Sequence, residues 1–368
     1  MTPSASVTPL ATTAPGAGDG LVLYGLGSTG QTILDALLDG QVAVDLILDR
    51  GKRGQEYRGI PIHGIEDVED GGLAGRTVLL GLHNHYVDVK AIGEQLRSAG
   101  AARVMTPTNI PELLDRPIDY PGYWLDRAFD YDAHAADFAR LRDRLDDEAS
   151  RVLLDRILRY RRSGDLADCP PASLTDEYTP ADLPRYTGPL QVIDCGAFTG
   201  VALHKLLKAD YVLDSFVAFE PDPESFATLA SRTLPAREGL CLPLGSWSST
   251  TQLRFSSDGS MGSALSETGE TVIQCVAIDD VLHGQPVNLV KLDVEGAEIE
   301  TLKGMARIIR AQRPNLLLSA YHTPGHLYEI ADLVASWDLG YRFHLRVHEY
   351  NTFGVVLYAL QDDKIERA

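Results

Sequence analysis

The feature that most constrains the fold is the repeated alternation of short apolar runs with amphipathic stretches, which occurs in two series along the chain. The first series begins with LVLY at residues 21–24 and ends near residue 118, and the second runs from about residue 190 to about residue 362. Short apolar runs separated by segments of helical periodicity predict parallel strands joined by helices. The sequence therefore predicts an α/β protein with two domains, a small N-terminal Rossmann-like parallel sheet and a C-terminal doubly wound sheet.

The same pattern sets the predicted domain boundaries. Between the two series lie charged amphipathic segments that predict helices, followed by a proline-containing stretch typical of a linker. The last two apolar runs, YRFHLRV and FGVVLYAL, are joined by a short loop and predict a terminal antiparallel hairpin. The predicted order is a disordered leader at 1–18, the Rossmann-like domain at 19–118, a helical connector and linker at 119–188, the second α/β domain at 189–362 and a tail at 363–368.

Charge and hydropathy exclude several classes of partner. The formal net charge is −19, so most of the surface would repel a phosphate backbone. No apolar run approaches the roughly 20 residues needed to cross a bilayer, and the first residues lack the basic and apolar regions of a signal peptide. We expect a cytoplasmic protein that binds neither nucleic acid nor membrane.

Two motifs in the second series predict a nucleoside pocket. VIDCGAFTG places Asp194 at the end of a buried strand and Gly196 and Gly200 in the turn that opens the next helix. The following strand ends in AFEPDP, with Glu220 where an acidic side chain accepts hydrogen bonds from ribose hydroxyls. Ligands of open α/β sheets bind beyond the carboxyl ends of the strands, so both motifs should face one crevice.

A third motif adds ionisable groups to the same edge. NLVKLDVEGAEIETLKGM, residues 288–305, brings Lys291, Asp293 and Glu295 to the end of an apolar strand before a helix begins. Ionisable residues gathered at a strand tip suggest chemistry. His322 follows the strand NLLLSAY and should lie across the crevice from Asp293.

With these motifs in order, VIDCGAFTG, FEPDP, VKLDVEGAEIETLKGM and LLLSAYH, the chain resembles the FkbM family of methyltransferases. The segment DEASRVLLDRILRYRRSGD looks like the helical segment that precedes the catalytic domain in longer FkbM-like proteins. The resemblance implies a class I methyltransferase fold and transfer of a methyl group from S-adenosylmethionine, commonly to a hydroxyl of a sugar, polyketide or other secondary metabolite. The residues assigned to the cofactor are Asp194, Gly196, Phe198, Thr199, Gly200, Glu220, Asp222, Ser246 and Asp293.

Methyl transfer to a hydroxyl needs proximity and a base. The catalytic candidates are Glu295 and His322 as bases, together with Asp293. Some sugar and antibiotic O-methyltransferases hold Mg²⁺ with a carboxylate at the Asp293 position and an Asp pair after the next strand, where this chain has SAYH. A magnesium site is therefore not favoured, although Asp293, Glu295 and His322 together offer ligands for a divalent ion such as Mn²⁺.

The first series contains its own glycine turn. GLGSTG, residues 25–30, follows a strand, and Asp49 ends the next strand where NAD enzymes grip the ribose. The unit is short for a dinucleotide fold, and DRGKRGQEYRGIPIHG looks like the N-terminal domain of the NeuD and PglD sugar acetyltransferases, which implies a nucleotide-sugar or similar ligand. A scaffold or oligomerisation module is the alternative. The candidate ligand residues are Gly25, Gly27, Ser28, Thr29, Gly30 and Asp49.

Several functions stay open at this point. The leading hypothesis is an O-methyltransferase whose first domain presents a phosphorylated or sugar-containing small-molecule acceptor. The alternatives are an N-methyltransferase acting on a natural product, an NAD-dependent oxidoreductase that uses the first glycine turn, and a binding protein without activity. The sequence fixes neither the acceptor nor the oligomeric state, and a homo-oligomer is compatible with it.

Overall fold

The computed structural model describes residues 20–68, 72–116, 118, 122–126, 128–256, 264–265 and 271–366. The predicted leader lies outside these residues. The chain divides into two compact units, called here the first and the second unit. The first unit contains the described residues up to Ala128, with Asp155–Pro171 and Tyr350–Phe353; the second contains Phe129–Leu154, Ala172–Glu349 and the described residues from Gly354 onward.

The first unit is built on a six-stranded sheet with the strand order β3-β4-β2-β1-β5-β6. Its neighbouring strands pair in parallel, except that β3 runs antiparallel to β4 at one edge. The central strands β1, β2 and β5 are apolar and almost wholly buried, as is typical of parallel sheets covered on both faces. The elements are β1 (Leu21–Tyr24), α1 (Ser28–Asp39), β2 (Leu46–Leu48), β3 (Glu56–Tyr57), β4 (Ile60–His63), β5 (Thr77–Leu80), α2 (Val89–Ser98) and β6 (Arg103–Met105).

The charged segment after the first sheet forms the helices α3 (Ala135–Arg144) and α4 (Glu148–Ser163). α3 turns Phe138 and Leu141 inward, exposes Arg140 and Asp143, and leaves its other charged side chains partly buried. Among the helices that the structure describes, none is long and apolar enough to cross a bilayer.

The second unit is built on a seven-stranded sheet with the order β16-β17-β15-β14-β7-β8-β9. β7 to β9, β14 and β15 run parallel, and β17 lies antiparallel between β15 and β16. The sheet elements and their helices are β7 (Leu190–Cys195), α5 (Val201–Lys208), β8 (Leu213–Phe219), α6 (Pro223–Ser231), β9 (Ala236–Leu242), β10 (Gly245–Ser246), β11 (Thr251–Ser256), β12 (Ala264–Leu265), β13 (Thr271–Val276), α7 (Ile278–Val281), β14 (Leu289–Leu292), α8 (Glu298–Gly304), α9 (Ala306–Gln312), β15 (Asn315–Ser319), α10 (His326–Ala335), β16 (Arg342–Val347) and β17 (Val355–Leu360).

This topology confirms the predicted α/β fold with a terminal antiparallel hairpin. The strand order reverses at β7, which has β8 on one side and β14 on the other. The loops after these three strands therefore meet at the switch point of the sheet, where open α/β sheets bind their ligands.

One apolar run takes a different place from the one expected. The second series as a whole predicts one doubly wound sheet, but its run TVIQCV forms β13 of a separate four-stranded sheet with the order β10-β13-β11-β12. β13 exposes Val272 and buries Ile273 and Cys275. A strand of this kind has one solvated face, whereas the central strands of a doubly wound sheet are covered on both faces.

The segment predicted as a linker contributes to the core of the second unit. Tyr178 and Tyr186 are buried in the same apolar cluster as Leu190. The hydroxyl of Tyr186 donates to the carbonyl of Tyr178 at 2.5 Å, and the backbone N–H of Tyr178 donates to the hydroxyl of Tyr358 on β17 at 3.1 Å. Aromatic packing and these hydrogen bonds hold a proline-containing stretch that sequence patterns assign to a loop.

The parallel strands of the second unit should carry most of its stability. Leu317 of β15 is 1% exposed, so Leu317→Ala should lower the free energy of unfolding by about 2–5 kcal/mol through lost burial and a residual cavity. Val272 of β13 is 54% exposed, and Val272→Ala should change it by no more than about 0.5 kcal/mol. Urea unfolding followed by circular dichroism measures both. Equal losses would contradict this placement of the core.

Candidate functional site

The turn after β7 depends on glycine at one position. Gly196 has φ +69°, and a Cβ added there would lie 1.8 Å from the carbonyl oxygen of Asp293. The backbone of the turn therefore touches the backbone at the end of β14. Phe198, with φ +49°, and Gly200, with φ +83°, continue the left-handed conformation up to the start of α5.

A buried ion pair lies directly behind this turn. Asp194 and Lys291 are register partners on β7 and β14, and Lys291 Nζ lies 3.1 Å from Asp194 Oδ1. The same ammonium donates to the carbonyl of Gly196 at 2.5 Å and to that of Cys195 at 3.4 Å. Burial raises the pKa of Asp194, and the charge of Lys291 opposes this rise. Burial acts to lower the pKa of Lys291, but the carboxylates of Asp194 and Asp293 raise it to about 12. Removing one partner would leave an uncompensated buried charge, at a cost of about 3–5 kcal/mol.

Glu220 connects the turn to the end of β8. The backbone N–H of Phe198 donates to its Oε2 at 2.6 Å, and the backbone N–H of Asp222 donates to its Oε1 at 2.8 Å. Burial raises the pKa of this carboxyl group, and the two backbone donors work against that rise. A carboxylate has about four lone-pair positions, so roughly two remain for a ligand. Asp222 caps α6 by accepting from the backbone N–H of Ser225 at 2.9 Å.

The three loops enclose one cavity at the carboxyl ends of β7, β8 and β14. Its volume is about 800 Å³, including space open to solvent. The residues that line it are Gly196, Phe198, Phe219, Glu220, Pro221, Asp222, Ser225, Leu244, Gly245, Ser246, Ile273, Cys275, Asp293, Val294, Glu295 and Ala297.

The cavity gathers most of the predicted cofactor residues, but three of them lie outside its wall. Asp194 is fully buried behind the turn, Gly200 caps the start of α5, and Thr199 lies between the turn and that helix. The predicted residues that do line the wall are Gly196, Phe198, Glu220, Asp222, Ser246 and Asp293, with the catalytic candidate Glu295 beside them.

Beside the cavity lies a cluster of acids around one imidazole. His322 Nε2 lies 3.5 Å from Asp293 Oδ1 and 3.5 Å from Glu295 Oε2. The hydroxyls of Tyr178 and Tyr321 each lie 3.5 Å from an oxygen of Asp293. The structure therefore brings the three predicted catalytic residues together, with Asp293 and Glu295 on the cavity wall and His322 behind them.

Two further residues complete this cluster on its buried side. Glu298, at the start of α8, places Oε1 2.9 Å from His322 Nδ1 and Oε2 3.1 Å from His326 Nδ1. Ligand atoms of Glu298, His322 and His326 all lie within 4.8 Å of one another. The predicted metal set shares only His322 with this group.

Burial and neighbouring charges shift the pKa values of the ionisable groups in this cluster. Burial lowers the pKa of His322, yet the carboxylates of Glu298 and Glu295 overcome this and raise it to about 10. Burial, with the charges of Asp293 and Glu298, raises the pKa of Glu295 to about 8. Burial also acts to raise the pKa of Glu298, but His322 and His326 hold it well below its usual value.

Sequence reasoning missed several of these residues, and for different reasons. Glu298 lies inside the third motif, but a helix-start Glu normally faces solvent. His326 and Tyr321 flank His322 in sequence, so their proximity could have been inferred. Tyr178 gave no signal, because it lies in the predicted linker. Ile273 and Cys275 reach the cavity from the separate sheet, which the pattern did not predict.

In the first unit, the glycine turn after β1 is bonded to Asp49, the residue that follows β2. Asp49 accepts from the backbone N–H of Leu26 at 2.7 Å and from that of Lys52 at 3.1 Å. A Cβ at Gly30 would lie 2.1 Å from the carbonyl oxygen of Gly25, so close packing accounts for Gly30. Gly27 and Ser28 are exposed at the start of α1, with Thr29 partly buried. Ligand binding at this turn stays a prediction.

The second unit contains the residues that match a known protein family. Residues 194–343 match the family model of the methyltransferase FkbM domain. The crystal structure of methyltransferase FkbM from Methylobacillus flagellatus KT, at 2.20 Å resolution, is similar in fold, with a TM-score of 0.72 and 21% sequence identity over 94% of this chain and 91% of that chain. No curated protein matches the chain. These matches confirm the resemblance inferred from the four motifs.

The close approach at Gly196 can be separated from its left-handed backbone. Gly188 also has a positive φ, +71°, but an added Cβ there would meet nothing within 4 Å. Gly196→Ala should therefore lower the free energy of unfolding by about 1–3 kcal/mol more than Gly188→Ala, because only Gly196 gains a clash. Chemical denaturation of both variants measures the difference, and equal losses would show that the turn can move away from Asp293.

Proposed function

We propose that this chain, which contains a methyltransferase domain of the FkbM family at residues 194–343, transfers a methyl group from S-adenosylmethionine to a hydroxyl of a small-molecule acceptor. The acceptor class is that inferred from the sequence, a sugar, polyketide or other secondary metabolite, phosphorylated or sugar-containing. An amine acceptor is the nearest variant. The observation that carries the proposal is the cavity at the switch point of the second unit, with Glu220 and the Gly196 turn on its wall.

The cavity wall offers a partner for each part of the cofactor. Glu220 keeps acceptor positions for the two ribose hydroxyls after its two backbone hydrogen bonds. Leu244 and Ile273 supply apolar surface for the adenine ring. Gly196 has no side chain, so a ligand can approach the backbone of the turn closely. Asp293, at the end of β14, supplies negative charge for the ammonium or sulfonium group.

Methyl transfer requires an acceptor oxygen in line with the S–CH₃ bond. The oxygen forms a bond to the methyl carbon as the carbon–sulfur bond breaks, the hydroxyl proton leaves to a base, and S-adenosylhomocysteine is the second product. Glu295 lies on the cavity wall, with a side chain that is 22% exposed, whereas the His322 side chain is 2% exposed and stands behind it. This position favours Glu295 as the proton acceptor, with His322 holding its carboxylate in place.

The cofactor role of Glu220 can be tested without knowing the acceptor. Glu220→Gln keeps the size of the side chain but replaces an acceptor oxygen with a donor, so S-adenosylhomocysteine should bind about 10–100-fold more weakly. Calorimetric titration of the full chain measures the affinity. Glu224, exposed two residues into α6, provides the control, because Glu224→Gln removes a similar charge nearby and should leave the affinity unchanged.

Circular dichroism of both variants checks that each is folded. Absence of binding by the unaltered chain would refute a cofactor pocket here. Equal affinities for the unaltered chain and Glu220→Gln would refute the ribose contact.

A further inference from the structure

Behind the cavity wall, three buried ligand groups converge from separate elements of the second unit. Glu298 begins α8, His326 begins α10, and His322 lies in the loop after β15. All three are at least nine-tenths buried, and Glu298 is completely buried. None of them lines the cavity, so this group is distinct from the proposed cofactor pocket.

The contact between Glu298 and His326 is close but is not aligned for a hydrogen bond. Glu298 Oε2 and His326 Nδ1 are 3.1 Å apart, yet neither atom has a hydrogen-bond partner in the part of the chain that the structure describes. A buried carboxylate oxygen and a buried ring nitrogen in this condition would cost free energy without a ligand. Because the two atoms are close but not aligned for a hydrogen bond, their arrangement indicates that both face the position of one bound ion.

We propose that Glu298, His322 and His326 bind a divalent transition-metal ion through one carboxylate and the two Nδ1 atoms. In a tetrahedral site with bonds of 2.0–2.1 Å, ligand atoms lie about 3.3 Å apart. The distances from the Glu298 carboxylate to the two Nδ1 atoms, 2.9 Å from Oε1 and 3.1 Å from Oε2, need only a small expansion to reach this value. Two imidazoles with one carboxylate suit Zn²⁺, Co²⁺ or Mn²⁺ better than Mg²⁺ or Ca²⁺, which prefer oxygen ligands only.

The outer side of His322 supports the same assignment. Histidine that binds a metal through one ring nitrogen usually donates its other N–H to a carboxylate, which fixes the ring and makes it a stronger ligand. His322 Nε2 lies 3.5 Å from both Asp293 Oδ1 and Glu295 Oε2. With Nδ1 on the metal, the Nε2–H therefore faces the two carboxylates of the cavity wall.

This arrangement gives the metal a positioning role. It joins the start of α8 to the start of α10 and to the loop after β15. It borders the cavity through the ring of His322 and through Glu298, whose Oε1 accepts from the backbone N–H of the wall residue Val294 at 2.9 Å. The two carboxylates that flank the proposed methyl-transfer position thus hold their orientation through a metal-bound imidazole. Three protein ligands leave a further coordination position for water.

The metal content of the full chain tests the proposal directly. The protein is purified without a polyhistidine tag from medium supplemented with Zn²⁺ and Mn²⁺, and its metals are measured by mass spectrometry. We expect close to one ion per chain. After removal of metal with a chelator, titration with Co²⁺ should produce visible absorption bands and raise the melting temperature.

Matched variants identify the ligands. Glu298→Gln and His326→Gln each remove one ligand and should weaken Co²⁺ binding at least tenfold. The controls are Glu300→Gln on the same helix, whose carboxylate pairs with Lys303 at 2.6 Å, and His204→Gln, whose side chain is exposed on α5. Both controls should keep the metal affinity of the unaltered chain.

Two results would overturn the proposal. An unaltered chain with far less than one ion and no Co²⁺ bands would make the group a carboxylate shared by two imidazoles, whatever the variants do. Unchanged Co²⁺ affinity in Glu298→Gln and His326→Gln would place any bound ion elsewhere. S-adenosylhomocysteine binding, measured on the same preparations, reports on the methyltransferase proposal separately, because the proposed ligands do not line the cofactor cavity.

Discussion

The ion pair between Asp194 and Lys291 is the interaction on which the geometry of the site depends. It joins the central strands β7 and β14 at the position where the strand order reverses. Because Lys291 also donates to the carbonyls of Cys195 and Gly196, the pair holds the backbone of the glycine turn. A buried ion pair rarely adds much stability after desolvation, so its value here is better explained by the conformation that it specifies.

The conformation of this turn determines how the loops around the cavity are connected. Gly196 brings the turn into contact with the backbone after β14, and Phe198 then presents its N–H to Glu220 at the end of β8. Three loops from three parallel strands are in this way connected by one close backbone approach and by hydrogen bonds to the Glu220 carboxylate. Such ties leave little freedom to the carboxylates of Glu220 and Asp293, and a site whose groups are held before the ligand arrives loses less entropy on binding.

Much of this could be predicted from the sequence, and the limits have physical causes. Several parallel strands of both sheets, among them LVLY, TVLL and NLLLS, are short apolar runs. Alternation therefore predicted the α/β class, and the motif order placed Glu220 and Asp293 at one edge. β13 was assigned to the wrong sheet because an apolar run does not reveal which strand it pairs with. Asp194 was predicted to contact the cofactor, but it pairs with Lys291 behind the turn. This pairing depends on the register between β7 and β14, which the sequence does not show. Glu298 and His326 come together only through the packing of α8 and α10, which no local pattern reports.

The most direct measurement is a crystal structure of the full chain with S-adenosylhomocysteine. We expect the nucleoside to occupy the cavity of the second unit, with the ribose hydroxyls within hydrogen-bond distance of Glu220 and the sulfur on the side of Asp293 and Glu295. Density for the ligand at the glycine turn of residues 25–30, or a ribose turned away from Glu220, would contradict it.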